Sequence, residues 1–238
     1  IPLSIWQRHA FASLNPAVPF EAVMGEVLAR LPAMPIESFR AAPARSRDYE
    51  IKANWALYVE NYLEGFHIPF VHAGLNQVVD YGSYSTELYR YANLQLALAR
   101  DGEAAFEHPA ERDAGKRIAA YYWWVFPNLM LNFYPWGLSL NLVQPQGIDR
   151  TRVLFRSFVW DESKLAAGAG AALDQVEMED EAIVEAVQRG TKAKAYQRGR
   201  YSPTREQGTH HFHRLLCEFL DADLAAVSPG AMMEEAER

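Results

Sequence analysis

Cysteine is almost missing from this sequence: Cys217 is the one thiol in 238 residues. A lone cysteine excludes an internal disulfide, and no basic stretch leads into an apolar run after Ile1. No secretory signal is therefore visible, and a reducing cytoplasm is the expected location. Long apolar runs are missing too. The stretch from Ala119 to Phe126 falls far short of the roughly 20 residues that a membrane helix needs, so no membrane span is expected. Positive charge is sparse, with 23 Lys and Arg against 30 Asp and Glu and a formal charge of −7. Without a basic stripe, nucleic acid is not an expected partner. What the chain does have is apolar bulk, 50% of its residues, with 12 Tyr, 12 Phe and 6 Trp among them. That suffices for one substantial core and the remnant of another unit.

Residues 1 to about 45 mix short apolar runs with Pro16, Pro19, Pro32, Pro35 and Pro43, a pattern of connections rather than of a complete domain. Inside it Val23, Met24, Val27 and Leu28 recur at helical spacing and predict a short amphipathic helix over 21–31. A second helix is predicted from about Asn54 to Phe66, with Pro69 breaking or kinking it close to His67. The polar stretch 101–117 contains Gly102, Pro109 and Gly115 and reads as a long loop, of the kind that forms lids or stays disordered. From Ala119 to Trp160 the pattern changes to β. Segments 121–126, 129–134, 138–143 and 151–160 are aromatic and branched, are separated by turn sequences, and predict an antiparallel meander. Leu138, Leu140 and Leu142 alternate with Ser139, Asn141 and Val143, so one face is apolar and the other partly polar. Two helices should follow, one over about 174–189 and one from near Pro203 with Ser202 as its cap. In the last, Phe212, Leu215, Leu216, Phe219 and Leu220 form a stripe that should lie on the sheet, with Cys217 buried beside them.

The segment NWALYVENYLEGFHIPFVH, 54–72, gathers the groups most capable of chemistry. His67 and His72 would point about 140° apart on a continuous helix, but a turn at Pro69 lets both imidazoles face one point. Imidazole suits iron, zinc, copper and nickel alike, so the pair does not name the metal. On spacing alone, such a pair is more often a hydrogen-bonded core or surface feature than a ligand set. The neighbours shift that balance. Glu60, Asn61 and Glu64 share the helix with Trp55, Leu57 and Leu63, and a buried carboxylate is costly unless paired or metal-linked. His210, His211 and His213, in THHFHRLLCEFL, read as structural. Gly168 and Gly170 follow no nucleotide-type strand and receive no phosphate role.

The pattern NW-x4-EN-x2-E-x2-H-x4-H resembles the mononuclear iron motif of the Rieske-type non-haem iron ring-hydroxylating oxygenases, in the large (alpha) subunit. The similar branch is that of choline and carnitine monooxygenase-like proteins, and the likeness runs from about Ile5 through Leu220. The resemblance implies an α+β helix-grip (START/Bet v1-like) fold, a curved antiparallel sheet around a long C-terminal helix. It implies His67 and His72 as iron ligands with one carboxylate far downstream, the facial triad that leaves positions open for oxygen. Glu64 then matches the bridging acid that links the iron to the iron–sulfur domain of a neighbouring subunit, and Asn61 an asparagine lining the iron site. These two are the candidate catalytic residues. The third ligand should lie in QVEMEDEAIVEAVQRG, 175–190. There Asp180 shares a stripe with Ile183, Val184 and Val187, with Glu177 near it, whereas Glu181 and Glu185 read as solvated. Asp180 is the expected ligand and Glu179 its rival.

The cofactors so implied are one mononuclear Fe(2+) and a [2Fe–2S] cluster. The cluster needs two cysteines and two histidines, so these 238 residues, with one cysteine, cannot hold it. The opening IPLSIWQRHAFASLNPAVPF resembles the last strand of the Rieske domain. The expected organisation is a Rieske remnant over 1–20, a connecting segment over 21–45, the catalytic iron domain over 46–225 and a tail over 226–238. The implied reaction is O2-dependent hydroxylation or oxidative demethylation of a small aromatic or quaternary-amine substrate. Electrons would come from NAD(P)H through a reductase and a Rieske or ferredoxin partner, in a homo-oligomer that is a trimer in the family. Tyr121, Trp123, Phe133 and Trp136 would suit an apolar or cationic ligand, although strand aromatics are more often core. Two other readings stand beside this one: a non-catalytic helix-grip domain binding a small apolar ligand, and a degenerate domain serving assembly.

Overall fold

The structure, a computed structural model, describes residues 1–226, so the expected tail beyond Ala226 lies outside the described residues. In chain order it forms β1 (Leu3–Trp6), β2 (His9–Ala12), α1 (Phe20–Leu28), β3 (Arg40–Ala41) and β4 (Arg47–Ile51). Then come α2 (Trp55–Tyr62), α3 (Ile68–Val71), α4 (Ala73–Val78), β5 (Ser85–Leu88), β6 (Ala92–Leu98), β7 (Ile118–Val125) and β8 (Leu129–Tyr134). The chain continues with β9 (Gly137–Gly147), β10 (Arg150–Val159), α5 (Leu173–Thr191) and α6 (Gln207–Ala226). β1 and β2 make a separate hairpin; the other eight strands form one antiparallel sheet in the order β3-β10-β9-β8-β7-β6-β5, with β4 also paired to β10. The fold is α+β, with the predicted meander at its centre and two strand segments added on each side.

The period-two alternation of the strands sorts two cores onto the two faces of the sheet. Leu94 and Leu96 of β6, Tyr121 and Trp123 of β7, Leu131 and Phe133 of β8 and Leu138 of β9 face α1, whose Met24 and Val27 are fully buried among them. On the opposite face Trp124, Met130, Val143 and Val153 pack with Val59 and Leu63 of α2, Val184 of α5, and Phe212 and Leu215 of α6. Both faces are covered, and the division of β9 into an apolar and a partly polar side holds. Its partly polar side, with Ser139 and Asn141 at 1% and 4% exposure, is buried against the helices, while Leu140 and Leu142 on the other side stay partly open.

Polar side chains on that helix-bearing face tie sheet to helices. Asn93 donates to the Gly208 carbonyl (3.2 Å) and its side-chain oxygen stands 2.6 Å from His211 Nδ1. Gln95 donates to the Tyr62 carbonyl, and the Tyr62 hydroxyl donates to Asn132. Gly208 is required by close approach: a Cβ there would lie 2.5 Å from the Leu63 carbonyl oxygen, so any side chain would push α6 off the end of α2.

Several local expectations are revised. The first helix of the motif ends at Tyr62, five residues before His67, and Pro69 sits in the first turn of a separate short helix, where its missing N–H costs nothing. The stretch 101–117 is pinned rather than lid-like, because Asp113, with no exposed surface, pairs with Arg30 and accepts from Tyr121 and Lys116. The last helix begins at Gln207 rather than near Pro203, and Ser202 gives its backbone N–H to the Glu206 side chain just ahead of it. Cys217 is exposed, not buried: α6 presents Phe212, Leu215 and Leu216 inward and turns Cys217 outward.

Candidate metal centre

α2 delivers the first half of the site. Asn54 caps it, its side-chain oxygen accepting from the Ala56 N–H at 2.9 Å. Tyr58 and Asn61, one turn apart on α2, meet Glu177 and Asp180, one turn apart on α5. α5 is held in place by its far end, where Glu185 and Gln188 accept the backbone N–H groups of Lys52 and Asn54. Past α2, Gly65 passes so near Tyr84 that a Cβ would meet the ring at 2.8 Å. The Glu64 carboxylate then folds back onto the Phe66 and His67 N–H groups and shapes the turn into α3. α3 separates the two histidines by little more than one turn, with His67 capping its start and His72 its end.

The result is a convergence of three donor atoms. His67 Nε2 and His72 Nε2 stand 3.1 Å apart, and Asp180 Oδ1 lies 3.4 Å from the first and 3.0 Å from the second. Three donors at right angles about one ion, with bonds of about 2.1 Å, would be about 3.0 Å from one another. The triangle thus has the dimensions of one face of a coordination octahedron, and its two histidines and one carboxylate are the donor set suited to ferrous iron.

The surroundings fix each donor. His67 Nδ1 lies 2.6 Å from Glu64 and His72 Nδ1 2.7 Å from Glu179, so both rings carry their proton on Nδ1 toward a carboxylate and turn Nε2 to the centre. Asn61 Nδ2 donates to Asp180 Oδ1 at 2.6 Å. Without an ion, burial would lower the His67 pKa, but its bonds to Asp180 and Glu64 outweigh this and raise it to about 9. Burial would likewise raise the Asp180 carboxyl, yet the two histidines hold it below the ordinary aspartate value. Two Nε2 atoms 3.1 Å apart cannot both hold a proton between them, so the site takes one proton there or one cation.

The sequence-selected residues Asn61, Glu64, His67, His72 and Asp180 all come to this point and line one cavity of about 100 Å³. Glu179, the rival of Asp180, meets the far side of His72 instead. The stripe argument for Asp180 is revised: Ile183 and Val187 are exposed, and the inward side of α5 carries Glu177, Val184 and Gln188. Glu181 is not solvated, since one of its oxygens is buried without a partner and burial raises its pKa. Of the aromatic candidates, Tyr121, Trp123 and Phe133 point to the opposite face, and Trp136 stacks on Tyr134 without reaching the cavity. The lining aromatics are Tyr58, Tyr62, Tyr84, Tyr122, Tyr134 and Phe155. The signal for them was parity, because Tyr122 alternates with Tyr121 and Trp123 on β7. His211 and His213 bond Asn93 and Glu60 away from the centre, as structural residues do.

Residues 39–222 match the family described as Ring hydroxylating alpha subunit (catalytic domain). The chain is 35% identical over 178 residues to the chloroplastic choline monooxygenase of Arabidopsis thaliana, covering 71% of this chain and 40% of that protein. It is 28% identical over 185 residues to putrescine 2-hydroxylase of Bordetella bronchiseptica, covering 69% and 43%. Among solved structures, a quaternary ammonium Rieske monooxygenase of carnitine oxidation superposes with a TM-score of 0.70 at 21% identity, covering 92% of this chain and 61% of that one. This chain spans about two fifths of the length of the relatives it matches. With more than half its length matched to that family and the fold shared, the chain belongs to the ring-hydroxylating alpha subunits and represents their catalytic domain.

Proposed function

We propose that this chain is the catalytic domain of an iron-dependent oxygenase that hydroxylates or oxidatively demethylates a small amine substrate. His67, His72 and Asp180 would hold one ferrous ion. The observation that carries this reading is the convergence of their three donor atoms at 3.0–3.4 Å beside a cavity lined by aromatic side chains. Bound there, the iron would supply oxygen activation. The protein's own part is positional. Glu64 and Glu179 hold the imidazoles by their Nδ1–H groups, Asn61 steadies the carboxylate, and the aromatic walls keep bulk water from the reacting carbon. Glu64 is also the acid through which we expect electrons to arrive from a cluster on a partner. The names of the relatives, choline monooxygenase and putrescine 2-hydroxylase, favour an amine over an aromatic hydrocarbon.

As organisation we propose the division of 1–20, 21–45 and 46–225 given by the sequence, with homo-oligomeric assembly bringing a neighbour's cluster to Glu64. Among the described residues no helix is long and apolar enough to cross a membrane, and a reducing cytoplasm is the location we propose. The test is anaerobic reconstitution with ferrous iron followed by metal analysis. About one iron per chain is expected, and a chain that retains no iron while binding small apolar ligands would establish the non-catalytic binder instead.

A further inference from the structure

Glu177 is a carboxylate sealed inside the protein, 4% exposed, one turn ahead of Asp180 on α5. It bonds neither histidine. Among the described residues its hydrogen-bond partner is the Tyr58 hydroxyl, 2.9 and 2.8 Å from its two oxygens, and no cationic side chain acts on it. Burial and then the charge of Asp180 push its carboxyl well above the usual range. A buried carboxylate without a counter-charge is strongly disfavoured, and the triad does not use this one.

The cavity shows what would match it. Glu177 and Tyr58 line it together with Tyr62, Tyr84, Tyr122, Tyr134 and Phe155, and aromatic faces attract organic cations. Its lining includes three carboxylates, Glu64, Glu177 and Asp180, and no lysine or arginine. Fully ionised, they carry three negative charges against the two positive charges of a ferrous ion, which leaves room for one further cation. Three residues of helix rise about 4.5 Å. A group seated on Glu177 therefore lies about one turn from the Asp180 end of the triad.

We propose that Glu177, held by Tyr58, is the seat of the ammonium group of a cationic amine substrate, and that this seat presents carbons one or two bonds from the nitrogen to the His67–His72–Asp180 centre. The inference deepens the oxygenase reading and rests on it. Glu177 selects charge, the aromatic walls accept the alkyl groups, and the helical spacing sets which carbon faces the metal.

The test is calorimetric titration of the full chain, iron-loaded under anaerobic conditions, with tetramethylammonium, choline and 1,4-diaminobutane. The reference ligand is 3,3-dimethyl-1-butanol, the neutral isostere of choline. At least one cation should bind about ten-fold or more tightly than the isostere. Glu177→Gln keeps the shape of the protonated acid and removes the charge. It should reduce that preference to about two-fold or less while isostere affinity and iron content hold. Glu177→Asp, which draws the charge back by one methylene, should keep part of the preference. A wild-type chain that binds the isostere as tightly as all three cations overturns the seat without any variant, and so does a folded Glu177→Gln chain that keeps the full preference. If the wild type takes up no iron, the oxygenase reading fails instead, and the cation preference of the iron-free chain still decides the seat.

Discussion

At the scale of the residue, His67 is pulled in two directions. Burial disfavours its charge, but the carboxylates at both ring nitrogens win, and in the metal-free chain its pKa stands at about 9 against 6.5 ordinarily. A group whose folded pKa is raised stabilises fully below its unfolded value and loses that contribution as pH rises through the folded one. The chelator-treated chain should therefore lose stability to urea between pH 6.5 and about pH 9. His67 would account for no more than about 3 kcal/mol of that loss. A flat profile over this window would show that the proton is not held there. Iron must displace the same proton, so its affinity should climb across that window. Substitution separates donors from their supports. His67→Ala, His72→Ala and Asp180→Ala should abolish iron retention on dialysis, whereas Glu64→Ala and Glu179→Ala should weaken it by about 10–100-fold. Equal losses at Asp180 and Glu179 would exchange their roles. The histidine pair was legible because its spacing is local. Glu179 as support for His72 was not, because a contact across 107 residues leaves no periodicity to read.

At the scale of the element, the stretch 101–117 is held to the segment just after α1 by a buried ion pair. Arg30, 5% exposed, sets both Nη atoms of its guanidinium on Asp113, which has no exposed surface, and Nη2 also donates to Glu87 at 3.1 Å. Removing one partner strands the other charge. Asp113→Ala should cost about 3–5 kcal/mol in chemical denaturation, whereas Asp48→Ala, which breaks the exposed pairs with Arg152 and Arg156, should cost about 1 kcal/mol or less. A cost at Asp113 no larger than at Asp48 would mean that the loop is not anchored there. The same contrast explains what could be read beforehand. β7 to β10 were visible because branched and aromatic residues fill both faces between strong turn signals. β6 was not, because Asn93 and Gln95 look like solvent-facing positions and are in fact buried under α6 and α2. A polar residue reads as surface until the partner that satisfies it is known, and here the partners lie 115 and 33 residues away. The strand candidates failed by parity: Tyr121 and Trp123 are one residue out of step with Tyr122, which lines the cavity.

At the scale of the whole molecule, the site has an inner and an outer end. Inside, the cavity runs back to Glu177; outside, the Glu64 side chain is still 15% exposed. On either side of His67 in the sequence, the rings of Phe66 and Phe70 stand 6.4 Å apart, at 47% and 81% exposure, an apolar pair on the surface. Ferrous iron readily gives one electron, and the family resemblance implies that a further one comes from a reduced cluster within reach of the acid matched by Glu64. The 238 residues hold one cysteine and cannot build that cluster. The iron-loaded chain with substrate, NAD(P)H and a reductase should therefore give no repeated turnover, and adding a cluster-bearing Rieske protein that docks at Phe66 and Phe70 should start it. Phe70→Asp should then cut that turnover by about ten-fold or more, since a charge in an apolar contact opposes docking, without lowering iron content. Peroxide brings both electrons together with the oxygen, so it should support slow product formation by the chain alone. Repeated turnover with the reductase and no Rieske partner would defeat the argument. Electrons would then be reaching His67 and His72 by a path that does not pass the Glu64 surface.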